Sequence, residues 1–249
     1  MPNAGKYSFA WAGDNLGDDT FKLLKTAYDS KDLKEMFATL DGPQFDRYVG
    51  MGFNTLYADT SGNIGYRLVS AMPVRKDKTP FIGHRVLDGT KSKFDWAWGE
   101  LIPLRDLPKS LNPKKGYLVT ANGRQTSDHA KYDYGAGISS TPRHVRIDEI
   151  ISSGIASGKK FTLEDMGAIQ QDVIDIVARR MNPKIIEITQ QVLHHLTEPQ
   201  KKDLEEMLDI LRPWEGSFDV ESVGASVYMR WYIQFTRNLF NKQGGQDES

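Results

Sequence analysis

The chain has 249 residues, 39% of them hydrophobic, and its 32 Lys and Arg against 33 Asp and Glu leave a formal net charge of -1. With no block of like charge, nothing marks a nucleic-acid or acidic-lipid partner, and no apolar run approaches the roughly 18 residues of a membrane span. The absence of cysteine removes disulfides, thiolate nucleophiles and Cys-based zinc sites, and leaves the compartment unknown. Met1 to Lys6 carries no apolar signal-peptide core.

Tyr7-Ser8-Phe9-Ala10-Trp11-Ala12 alternates aromatic and small residues and reads as a strand ended by Gly13-Asp14-Asn15. Asp19 or Thr20 is placed to cap a helix through Phe21 to Lys25, and Leu33, Met36, Phe37 and Leu40 continue helical spacing until Gly42-Pro43. Two β-rich runs, Phe53 to Asp59 and Ile64 to Val69, flank Thr60-Ser61-Gly62-Asn63 and predict a β-hairpin. Residues 71 to 115 hold five prolines, at 73, 80, 103, 108 and 113, and predict an irregular excursion. Within it Trp96-Ala97-Trp98-Gly99 reads as an anchor to a core.

Gly116-Tyr117-Leu118-Val119-Thr120-Ala121 reads as a nearly buried strand running into Asn122-Gly123-Arg124. A carboxamide at such a strand end suits donation to a developing oxyanion, while the Asn-Gly spacing by itself favours a turn asparagine. From Arg143 the pattern becomes helical: Val145, Ile147, Ile150 and Ile151 end at Gly154. Thr162 then starts, in capping-box fashion, a helix through Met166, Ile169, Val173, Ile176, Val177 and Arg180. Pro183 opens a further helix ending near Thr197-Glu198-Pro199, another runs through Leu211, and Trp214-Glu215-Gly216 separates it from an amphipathic helix over Val223 to Phe240. The fold class is α+β: sheet-rich over 1–123, a connecting site segment over 124–142, helical over 143–240 and a frayed tail over 241–249. By itself Arg143 reads as a surface charge at a helix start. Asp128 and Asp133 lack the spacing of a calcium loop, and no zinc, Walker, Rossmann, G-x-S-x-G or S-x-x-K motif occurs. Pro2 as an N-terminal amine base lacks an accompanying basic residue.

Several motifs in order resemble the penicillin amidase (penicillin acylase) family of N-terminal-nucleophile hydrolases. The hairpin Phe53 to Tyr66 resembles the family's N-x-x-Y-A-D-x-x-G-N-I-G-Y stretch. Pro73-Val74-Arg75, Trp96-Ala97-Trp98-Gly99, Ile102-Pro103, Leu111-Asn112-Pro113, Gly116 to Asn122, Pro142-Arg143 to Ile147, Gln170-Gln171-Asp172 and Trp214-Glu215-Gly216 continue it. The resemblance implies a partial αββα sandwich and hydrolysis of a linear amide in a small molecule through an acyl-enzyme intermediate. It implies that Asn122 donates to the oxyanion, Arg143 orients the catalytic amine and the asparagine, Phe53 lines the acyl pocket, and Asp133 falls near a calcium-binding aspartate. No cofactor beyond such a structural calcium is implied.

The family's nucleophile, a serine freed at the N-terminus of the β chain with its α-amino group as base, has no counterpart in this chain; Ser8 follows Tyr7 and lacks an Asn-rich setting. The expectation is an internal part of a β chain, inactive alone, with the α chain and the remaining β chain as missing partners. The other reading is a non-catalytic fragment or interaction module descended from such an enzyme.

Overall fold

A computed structural model describes residues 17–77, 79, 85–94, 100–123, 125–126, 131–132, 134 and 141–243. The expected strand Tyr7–Ala12, Pro2, the Trp96–Gly99 motif, Asp128 and Asp133 lie outside these residues. The chain divides into two compact units, Met1–Ser139 and Ser140–Ser249.

The first unit opens with α1 (Asp19–Asp29) and α2 (Leu33–Leu40). Asp32 caps α2 by accepting from the Glu35 amide. Contrary to the sequence expectation, Asp19 and Thr20 do not cap α1; they fasten the following loop, Asp19 accepting from the Val49 amide at 2.7 Å and Thr20 from the Met51 amide at 2.9 Å. The hairpin forms as expected, β1 (Phe53–Ala58) antiparallel to β2 (Ile64–Val69), with Phe53 opposite Val69 and Ala58 opposite Ile64. Gly62 turns the chain at φ 82, a conformation costly for a side chain bearing a Cβ. Asp59 ties the turn down: its carboxylate accepts from the Ser61, Asn63 and Leu33 amides and the Asn63 side chain. Burial counts against the Asp59 charge less than these donors count for it, so its carboxyl is held below the ordinary range.

A short β3 (Lys109–Leu111) completes an antiparallel sheet of order β1-β2-β3. Leu33, Met36, Phe37 and Leu40 of α2 join Val69, Ile102, Leu104 and Leu107 in one core. The stretch after Gly116 is not a strand: residues 117–120 carry no ladder, although Val119 and Ala121 are buried. Its β-branched and aromatic content reports burial, not pairing. Pairing ends earlier because Asn112, at φ 49, closes the sheet with its own side chain, accepting from the Ile64 amide and donating to Asn63.

The second unit is helical: α3 (Thr141–Ala156), α4 (Leu163–Gln170), α5 (Ile176–Val192), α6 (Glu198–Leu211) and α7 (Val223–Gln243). The Thr162–Asp165 capping box starts α4 as read from the sequence. Two boundaries differ. The helix expected to run through Arg180 breaks at 171–175, where Asp172 accepts from the Ile174 amide and Asp175 from the Val177 and Ala178 amides, competing with helical bonding. Pro183 breaks nothing and lies inside α5, where the neighbouring Asn182 donates to the Leu211 and Trp214 carbonyls and pins the helix. Ala178, Ile185, Leu211 and Tyr228 form the core, flanked by Trp214 and Phe218. Among the described residues no helix is long and apolar enough to cross a membrane.

Candidate functional site

Phe53 and Asn122 belong to the first unit and Arg143 to the second. Phe53 begins β1 with its side chain exposed. Asn122 follows buried Val119 and Ala121, and its backbone is left-handed, φ 58. Asparagine is among the few residues that tolerate this conformation, because its short side chain can satisfy the local backbone. Asn122 itself is exposed, with buried neighbours on either side. A loop, and not the expected strand end, holds Asn122.

Arg143 is exposed in the first turn of α3 and lines a groove of about 530 Å³. The walls are largely apolar, with Ile147, Ile150, Ile169, Val173 and Phe218 among them, and Arg146 and Asp172 stand among these side chains. Arg146 grips Asp172 in bidentate fashion, Nε to Oδ1 at 2.9 Å and Nη2 to Oδ2 at 2.6 Å. Glu149 extends the network, accepting from Arg179 at 2.6 Å and pairing with Arg146 at 3.7 Å. The Arg146 guanidinium holds the Asp172 carboxyl below its usual range, and the pairing raises Arg146 in turn. At Glu149 burial opposes the charge, but Arg179, Arg146 and Arg180 outweigh it and the net direction is down.

Both carboxylates titrate lower folded than unfolded. Their contribution is therefore fully present above the unfolded values of about 3.9 and 4.3, and is lost as pH falls through the lower folded values. Urea unfolding of the second unit is expected to show a flat midpoint from neutral pH down to about pH 5 and a decline below about pH 4. Asp172→Asn should flatten that decline, and an equal decline in this variant would remove Asp172 from the account.

Sequence reading named Asn122 and Arg143 as candidates and did not name the ion pair on the groove that Arg143 lines. The signal was present in the Gln170-Gln171-Asp172 motif and in Arg146 one helical turn after Arg143. Among the described residues no group of three His, Asp or Glu side chains could hold a metal ion.

The fold matches that of a solved thermostable penicillin G acylase from Alcaligenes faecalis, with a TM-score of 0.57 at 18% identity, over 82% of this chain and 34% of that one. This is an α+β chain that shares its fold with that acylase. The family model for penicillin amidase matches residues 2–248, and the chain belongs to that family. It is 23% identical over 253 residues to the acyl-homoserine lactone acylase QuiP of Pseudomonas aeruginosa, covering 100% of this chain. It is 25% identical over 243 residues to the penicillin acylase 2 proenzyme of a Pseudomonas species, covering 94%. An 80-residue stretch is 34% identical to penicillin G acylase of Escherichia coli. The chain spans only 28% and 29% of the length of the first two relatives.

Proposed function

We propose that this chain works as part of a hydrolase that cleaves a linear amide in a small molecule through an acyl-enzyme intermediate. The observation that carries the reading is the family match along residues 2–248, and the relatives named acylases support an N-acyl compound as substrate. The nucleophile is a serine outside this chain, supplied with the partner segments that complete the site. Its attack on the carbonyl carbon places negative charge on the carbonyl oxygen, and the Asn122 amide nitrogen donates to that oxygen. The serine's α-amine takes the hydroxyl proton and gives it to the leaving nitrogen as collapse expels the amine, water then attacks the acyl-enzyme to release the acid and restore the serine, and the same donor serves the second oxyanion. Arg143 orients the nucleophile's amine, and Phe53 lines the pocket for the acyl group.

The test is to produce residues 1–249 alone and together with the upstream coding region, and to assay a phenylacetyl anilide. Anilide cleavage is expected only from the longer protein. A longer protein with no turnover above background overturns the hydrolase reading. Turnover by residues 1–249 alone that disappears with Asn122→Ala overturns the placement of the nucleophile outside this chain.

A further inference from the structure

We propose that Arg146 and Asp172 are positioning residues that fix the N-terminal turn of α3 and thereby the place of Arg143 in the groove, a role that rests on the amide-hydrolase reading of Arg143. Arg143 and Arg146 are three residues apart on α3 and line the same groove, so whatever fixes Arg146 fixes the turn that carries Arg143. A bidentate guanidinium–carboxylate pair defines orientation as well as distance, which a single contact cannot do. Both partners are mostly shielded, with side-chain exposures of 22% and 19%, so water competes poorly for them.

The acidic partner is itself held from behind. Asp172 starts the 172–175 connection, which pairs with the segment after Trp214: the Phe218 amide donates to Val173 at 2.9 Å and the Asp175 amide to Gly216 at 2.9 Å. Gly216 makes this approach possible at φ 83, since a Cβ there would meet the Asp175 carbonyl oxygen at 2.9 Å. That segment is tied to Trp214, whose indole N–H donates to the Ser217 carbonyl and the Ser222 hydroxyl, and Trp214 flanks the second-unit core. A continuous chain of directional contacts thus runs from that core to Asp172, to Arg146 and to the turn bearing Arg143. Glu149 adds a lateral tie from α3 to α5 through Arg179.

The experiment is a double-mutant cycle on the complete protein, with Asp172→Asn, Arg143→Lys and the pair measured for kcat and KM on the same anilide. Asp172→Asn keeps the shape and an oxygen for the Ile174 amide but loses the charge, and a displaced Arg143 should lower kcat about 10-fold with KM changed less than about twofold. Because Asp172 acts through Arg143, adding Asp172→Asn to Arg143→Lys should lower kcat no further. Effects that multiply in the pair, or an unchanged kcat in Asp172→Asn, overturn the positioning role while leaving the hydrolase reading standing. A wild-type protein that turns over no amide fails the hydrolase reading itself, and this inference with it. If Asp172→Asn does not accumulate folded, Arg146→Lys, which keeps the charge but lacks the planar fork, runs the same cycle with the same outcomes.

Discussion

Asn122→Ala in the complete protein is expected to lower kcat by ~10²–10³, the usual cost of deleting one oxyanion donor. Alanine changes two things at this position, however, because φ 58 is unfavourable for a residue with a plain Cβ. Asn122→Gly separates them. Glycine adopts the left-handed backbone freely but has no amide to donate, so a donor role predicts that Gly loses as much kcat as Ala. A glycine variant retaining wild-type kcat would show that the asparagine serves the turn alone. Asn112 is the internal comparison: its positive φ has a complete structural explanation in its bonds to Ile64 and Asn63. Steady-state rates on the anilide, with circular dichroism to establish equal folding, decide the matter.

The largest expected change in stability is at Asp41. Arg67 of β2 is completely buried, its Nη2 donating to Asp41 at 2.6 Å, to the Leu104 carbonyl at 3.0 Å and to the Leu40 carbonyl at 3.3 Å. Its guanidinium also lies 5.5 Å from the centre of the Phe37 ring. Nε and Nη1 are buried with no hydrogen-bond partner among the described residues, so the charge depends heavily on Asp41. Burial raises the Asp41 pKa, but Lys109 and Arg67 outweigh it and hold the carboxyl below its ordinary range. Asp41→Ala strands the buried cation and should cost about 3–5 kcal/mol, at the lower end because Asp41 is partly open to water that can replace it. Adding Arg67→Met should return most of the loss, because an apolar side chain of similar length suits a core of Leu40, Phe37 and Leu104. Urea unfolding of the single and double variants measures both effects. A single-variant loss below about 1 kcal/mol would mean that water already satisfies Arg67.

Much of the fold was legible because local chemistry and tertiary context agree. The hairpin at 53–69, the capping box at Thr162 and the helix closed by Gly42-Pro43 each carry their own turn or cap residues, so no distant contact is needed to read them. Asn122 and Arg143 were singled out through ordered motifs, whereas spacing alone favoured a turn asparagine and a surface charge.

The errors share a cause. Asp19 and Thr20 are good caps by type, but the Val49 and Met51 amides claim their oxygens. Pro183 is a helix breaker by type, but Asn182 and the packing of α5 on Leu211 carry the helix through it. Tyr117 to Thr120 has the composition of a strand, but Asn112 closes the ladder before it arrives. By itself the sequence determined the class, the hairpin, the helical second half and the family, because these follow from periodicity, turn chemistry and motif order. Only the tertiary structure decided where Arg67 buries its charge, that Arg146 and Asp172 meet beside Arg143, and that Asn122 stands on a left-handed loop. Each of these depends on partners 26 or more residues away, or on a backbone angle imposed by the surrounding core, and neither is encoded in local pattern.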